Sequence, residues 1–221
     1  MGFNIAIDGP AGAGKSTIAK AAARELGFMY LDTGAIYRTL AVGLLQAGTD
    51  VDDPVMLEKD LAAMQVDVIY TDGVQHMFLN GTDVTDRLRT EEVSSMASIS
   101  SAKQQVRDKL FSLQRENAAK YDLIMDGRDI GTLILPDAPL KIYLTADARV
   151  RAKRRFDELR EKGVECDIDT IEKEIRERDE RDMNREIAPL KQAEDAVLID
   201  SSYMTIDEVA GQIVSLAKEK L

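Results

Sequence analysis

The sequence predicts an α/β fold: a doubly wound parallel sheet carrying a small antiparallel β insert and a helical lid. Three observations carry that expectation. Short apolar runs alternate with helical stretches, the texture of a parallel sheet covered on both faces. A glycine-rich loop, Gly9 to Gly14, joins the first run to the first helix. Between Val66 and Val84 the texture changes, because VDVIY and QHMFL are punctuated by Asp72-Gly73 and Asn80-Gly81, both preferred two-residue hairpin turns.

In chain order, Phe3 to Ile7 reads as the first strand, and Lys15 to Leu26 as a helix stopped by Gly27. Met29 to Leu31 is the next apolar run, followed by the hairpin insert. Leu123 to Met125, Lys141 to Leu144 and Val197 to Ile199 supply further strands. From Arg149 to Arg185 there are 12 basic and 12 acidic residues in 37, a density too high for core. That segment is expected to be an exposed helical pair able to move.

The length of 221 residues suits one core with appended segments. With 29 Lys+Arg against 40 Asp+Glu, the net charge of −11 argues against nucleic acid or an anionic membrane as the main partner. Any basic site must be local. The single cysteine, Cys166, cannot form an internal disulfide and has no metal-ligand pattern around it, which fits a reducing compartment. MGFNIAIDGP has no basic n-region or long apolar run, and Ala6 stands where a myristoylation pattern needs Ser or Thr, so a cytoplasmic location is expected.

Gly9-Pro10-Ala11-Gly12-Ala13-Gly14-Lys15-Ser16 satisfies G-x-x-x-x-G-K-[ST] between a strand and a helix, the context that motif requires. Small residues let backbone N–H groups and the helix start, through Thr17, surround the phosphates of ATP. Lys15 would bridge the β and γ phosphates, and the Ser16 hydroxyl would help hold Mg²⁺. The motif alone leaves ATPase, GTPase and kinase open. No N-K-x-D base-reading stretch is present, which argues against a small GTPase. Arginines recur instead on separate segments: Arg38 in DTGAIYR, Arg107, Arg128, and Arg178, Arg181 and Arg185 in RDERDMNR. At about 100° per residue, positions 178, 181, 182 and 185 fall within a sector about 100° wide, so three arginines and Asp182 are expected to face one way. A solvated face of i, i+4 pairs would read the same by composition.

GPAGAGKST, LDTGAIYR, LRTEEV, MDGRDIGT and RDERDMNR, in this order and spacing, resemble the bacterial cytidylate kinases of the nucleoside monophosphate kinase group. The match runs from Ile5 to about Ser201. The resemblance implies a P-loop kinase domain whose core is about 1–35, 100–148 and 188–221, with a monophosphate-binding part about 36–99 and a lid about 149–187. It implies transfer of the ATP γ-phosphoryl to CMP or dCMP, with Mg²⁺; a monomer without an obligate protein partner is expected. It also implies that Arg38, Arg128 and Arg185 clamp the acceptor phosphate with help from Thr33, that Arg178 and Asp182 reach the sugar hydroxyls, and that Ser98, Arg107 and Asp129 read the base. With Lys15, Arg128 and Arg185 form the catalytic set. The acceptor oxygen is ionised at neutral pH, so alignment and charge neutralisation suffice without a general base. That suits a chain with one histidine, His76, which reads as a surface residue of the hairpin insert. Asp126 would lie by a magnesium water or the arginine network, or would cap its own turn; these readings stay open. A kinase for another monophosphate or a small alcohol, and a nucleotide-binding regulatory switch, are the alternatives.

Overall fold

The computed structural model describes residues 2–221. In chain order the elements are β1 (Asn4–Asp8), α1 (Lys15–Leu26), β2 (Met29–Asp32), α2 (Thr33–Ala47), α3 (Pro54–Ala62), β3 (Val66–Thr71), β4 (Val74–Leu79), β5 (Thr82–Asp83), α4 (Glu91–Ser100), α5 (Gln104–Lys120), β6 (Leu123–Gly127), β7 (Leu140–Thr145), α6 (Ala148–Glu161), α7 (Ile168–Asn184), β8 (Val197–Asp200) and α8 (Ile206–Lys218). They fall into two compact units, residues 29–121 in one, and residues 3–28 with 122–221 in the other.

The unit of residues 3–28 and 122–221 is built on parallel strands in the order β6-β1-β7-β8. Every residue of β1 and of β6 is buried, which is why these strands read as continuous apolar runs and not as alternating ones. Helix α1 turns Ile18, Ala19, Ala22 and Ala23 inward and packs beside α8, whose Val209, Ala210, Ile213, Val214 and Ala217 form its buried stripe. Gly27 closes α1 in the left-handed conformation at φ 72, and a capping box between Thr205 and Glu208 starts α8. After β6 the chain makes one π-helical turn over Ile130–Ile134.

The charged segment expected to be an exposed helical pair is two helices, exposed over most of their length but with some charged residues buried. Arg151 on α6 and Asp179 and Asp182 on α7 are buried, together with Ala152 and Ile171. The two helices pack on each other, and Arg151 and Asp179 are buried between them as a pair, so composition alone does not find them.

The unit of residues 29–121 packs α2 against α4 and against the antiparallel sheet β3-β4-β5. Asp72 and Gly73 (φ 51 and 76), then Asn80 and Gly81 (φ 49 and 77), all take the left-handed conformation, as a type I′ hairpin turn requires. Thr71 therefore faces Val74 and Leu79 faces Thr82 across the two turns. Ile36, Leu40, Leu44, Leu57, Met77, Val106 and Leu110 are wholly buried and form the core of this unit. Helix starts are set by side-chain caps: Asp32 accepts from Ala35 N, Asp53 from Val55 N and Met56 N with Pro54 at the first turn, and Thr90 from Val93 N. His76 is half-exposed on β4 beside Asp83, as its place in the hairpin suggested.

Candidate active site

Ligands in open parallel sheets bind beyond the carboxyl ends of the strands. Strands β1 and β6 are paired in parallel, with Ile7 opposite Asp126 and Asp8 opposite Gly127, so the loop after β1 and the loop after β6 emerge side by side. The first carries Gly9 to Gly14. A Cβ on Gly9, at φ 151, would lie 1.9 Å from the Leu144 carbonyl oxygen, so no other residue fits there. Gly14 caps α1 at φ 86, leaving the first N–H groups of that helix available to an anion.

Lys15 is buried, and its Nζ donates to the carbonyls of Gly9 and Pro10, each at 2.8 Å, so the chain folds back along its own loop. Burial pushes its ammonium well below the ordinary lysine range, and the cationic fields of Arg128 and Arg178 add to the shift, against Asp126 and Asp8. Lys15, Arg128 and Arg178 thus form one positive cluster, each arriving on a different element. Ser16 Oγ donates to Asp126 Oδ2 at 2.9 Å. That bond puts the Asp126 carboxylate beside the phosphate loop. The hydroxyl and carboxylate offer hard oxygen donors, the set a magnesium ion takes beside phosphates. Among the described residues no group of three or more His, Cys, Asp or Glu gathers to hold a metal without a ligand's help.

Beyond β6, Arg128 Nε donates to Asp182 Oδ2 at 2.9 Å and its terminal nitrogen to the Gly127 carbonyl at 3.2 Å. Arg185 lies 3.7 Å from Asp129 Oδ1, both side chains nearly buried, and its Nε donates to the Ala188 carbonyl. The sector expected on α7 is corrected here. Arg185 follows the helix in extended conformation, and Arg181 is exposed while Arg178 is half-buried and Asp182 buried. Ile171, Ile175, Asp179 and Asp182 orient α7, and the centre of that face lies about 110° from position 181 at about 100° per residue. The arginines alone did not reveal the orientation that the isoleucines impose.

Two residues missed by sequence reasoning anchor these loops. Asp8, buried at the end of β1, accepts from Ile130 N at 2.8 Å and Gly131 N at 2.7 Å. Burial raises its carboxyl to about 6, the two N–H groups oppose the shift, and Asp129 adds to it. Its signal was present: a charge ending a buried run. Arg151 donates to the carbonyls of Ala146 at 2.8 Å and Ala11 at 2.9 Å, and pairs with Asp179 at 2.6 Å. Nothing in a run of mixed charge distinguishes it.

The unit of residues 29–121 holds the remaining expected residues. Thr33 is buried at the first position of α2, directly after the cap Asp32. Arg38 pairs with Asp32 at 2.9 Å. Arg107 is buried, donates to the Ser101 carbonyl at 3.3 Å and lies over the Tyr37 ring at 5.7 Å. Ser101 Oγ in turn donates to the carbonyl of Ser98 at 2.9 Å, so Ser98 and Arg107 share a neighbour.

Comparisons with known proteins agree with one another. The family model described as cytidylate kinase matches residues 5–219. A cytidylate kinase of Caldicellulosiruptor bescii is 48% identical over 97% of this chain and 95% of its own. Those of Shouchella clausii and Bacillus subtilis are 46% and 43% identical, each over 99% of this chain and 97% of their own. Among solved structures, an uncharacterised protein from Eubacterium ventriosum superposes with a TM-score of 0.55 at 15% identity over 98% of both chains. TT1252 from Thermus thermophilus does so at 0.51 and 16%, over 98% of this chain and 97% of its own. At such identities these two speak to fold alone.

Proposed function

The chain belongs to the cytidylate kinase family, which makes it an enzyme that transfers the γ-phosphoryl group of ATP to CMP or dCMP, and from that premise we propose how its residues divide the work. Gly9 to Thr17 enclose the ATP phosphates, and Lys15 leaves the Gly9 and Pro10 carbonyls to bridge the β and γ groups. Ser16 would hold a magnesium ion directly and Asp126 would hold it through water; the ion would neutralise charge on the phosphates. Arg38, Arg128 and Arg185, with Thr33, clamp the acceptor phosphate, where a guanidinium fork matches two oxygens at once. Asp182 and Asp129 keep Arg128 and Arg185 oriented before substrate arrives, so little reorganisation is left for the reaction itself.

Arg178 and Asp182 also reach the sugar, and Ser98, Arg107 and Asp129 read the base. Cytosine presents an amino donor at N4 beside acceptors at N3 and O2, so a carboxylate and an arginine are its complement. Residues about 149–187 act as a lid that excludes water on closure, over a core of about 1–35, 100–148 and 188–221 and a monophosphate-binding part of about 36–99. The protein works as a cytoplasmic monomer without an obligate protein, nucleic-acid or membrane partner; of these expectations, the net charge of −11 bears on nucleic acid and anionic membranes, which it disfavours.

The observation that carries the division of roles is that Lys15, Arg128 and Arg178, from three different elements, lie close enough for the two guanidinium charges to add to the burial that lowers the Lys15 ammonium. The test is ADP release across CMP, dCMP, UMP and AMP, in wild type and Asp129→Asn. Wild type prefers the cytosine nucleotides. The variant narrows the preference for CMP over UMP by about tenfold or more: the part of its effect that comes from loosening Arg185 falls on both nucleotides alike, while its amide N–H can donate to the acceptor that uracil presents, which the carboxylate cannot. An unchanged ratio of CMP to UMP removes Asp129 from base selection.

A further inference from the structure

The antiparallel insert of β3, β4 and β5 lies in the monophosphate-binding part but none of its residues has been given a task there, although one of its strands reaches the residue that holds Arg38. Gln75, on β4, embraces the backbone of Asp32 from both sides: Asp32 N donates to its Oε1 at 2.8 Å, and its Nε2 donates to the Asp32 carbonyl at 3.3 Å. A second strap runs from Tyr70 on β3, whose hydroxyl donates to the carbonyl of Tyr30 at 3.2 Å. Both straps grip β2 just before α2 begins.

Asp32 spends its side chain in two directions. One oxygen accepts from Ala35 N at 2.8 Å and caps α2; the other accepts from Arg38, one turn further on, at 2.9 Å. Gly34 leaves room for this pairing, since a Cβ there would come within 2.9 Å of the Arg38 guanidinium and 3.0 Å of the Asp32 carboxylate. With one terminal nitrogen engaged by Asp32, the buried Nε of Arg38 has no hydrogen-bond partner among the described residues and is available to an oxyanion.

We propose that the insert is a positioning element for the acceptor phosphate: Gln75 fixes Asp32, and Asp32 holds the Arg38 guanidinium in the orientation that receives the phosphate of CMP. Gln75 and Asp32 are positioning residues, acting through Arg38 and touching no substrate. The physical reason is the entropy of a long arginine side chain, which is ordered before binding by an ion pair whose own backbone is clamped. The inference rests on the assignment of Arg38 to the acceptor phosphate.

A double-mutant cycle on Gln75 and Arg38 tests it, with initial rates at varied CMP and varied ATP. Gln75→Ala and the bulkier Gln75→Leu each lower kcat/KM for CMP by about tenfold, mostly through KM, with KM for ATP unchanged. In the Arg38→Ala background the same changes at Gln75 have no further effect, because the group they position is gone. Thermal unfolding of each variant accompanies the kinetics, and a loss confined to the wild-type background is one that general destabilisation of the hairpin would not produce. Equal losses in both backgrounds, or no loss in either, overturn the inference and leave the role of Arg38 standing. Normal kcat/KM for CMP in Arg38→Ala overturns the assignment of Arg38 and the inference with it.

Discussion

Gly9 is where a single atom decides whether the phosphate loop can exist. Its φ of 151 lies outside what L side chains adopt, and an added Cβ would stand 1.9 Å from the carbonyl oxygen of Leu144 on the neighbouring strand. A backbone atom cannot swing aside as a side-chain tip can, so strand or loop must move. Gly9→Ala is expected to cost about 3 kcal/mol or more, a fall in Tm of roughly 6–12 °C for a chain of this size. The shifted loop also carries the Gly9 and Pro10 carbonyls on which Lys15 rests. Calorimetry should therefore record the drop in Tm together with at least about a 100-fold loss in kcat/KM for ATP, since misplacement by about 1 Å is enough for that. A variant with normal Tm and normal ATP kinetics would mean that the loop bends freely.

At the scale of elements, the strand runs and both hairpin turns were legible because their signals are local. β6 is apolar over Leu123, Ile124 and Met125 since both its faces are covered, and Asp-Gly and Asn-Gly name their own backbone conformations. The pairing of charges on α6 and α7 was not legible, because burial of an arginine depends on which carboxylate another helix brings to it. Arg151 is the case in point: it ties α6 to α7 through Asp179 and to the phosphate loop through the Ala11 carbonyl. These two jobs are separable. Arg151→Met leaves Asp179 buried without its cation and is expected to cost about 3–5 kcal/mol in chemical denaturation. Adding Asp179→Leu removes the stranded charge and restores most of that stability, yet KM for ATP stays several-fold raised, because no donor returns to Ala11. If the double variant recovers both, the contact with the phosphate loop has no functional weight.

For the whole molecule, acidity sets two opposing trends in stability. Exposed carboxylates such as Asp83, Asp195 and Glu208 are held below their ordinary range by hydrogen bonds from Thr85, Lys141 and Thr205 respectively, and they stabilise the fold at neutral pH and lose that contribution as pH falls. Asp8 runs the other way. Its folded value of about 6 lies above the ordinary 3.8, so between those limits the folded chain binds a proton that the unfolded chain does not. Its contribution to stability is fully present below the lower limit and is lost as pH rises through about 6. At neutral pH the enzyme therefore carries a buried charge at a cost in stability, and the return is a loop held rigidly by Ile130 N and Gly131 N beside Arg128 and Asp129. Asp8→Asn removes the charge but turns an N–H group toward one of those donors, so one hydrogen bond is lost. Urea unfolding of both proteins at a series of pH values isolates the residue from all the other carboxylates, which cancel in the difference. Between pH 4.5 and pH 7.5 that difference should move in favour of the variant by about 2 kcal/mol, at about 1.4 kcal/mol per pH interval of one. Over the same range kcat/KM for CMP should stay about tenfold below wild type, since the loop has lost one of its two anchors. A stability difference that is flat with pH would mean that Asp8 titrates as an ordinary carboxylate, and its burial would then carry no charge penalty for the enzyme to offset.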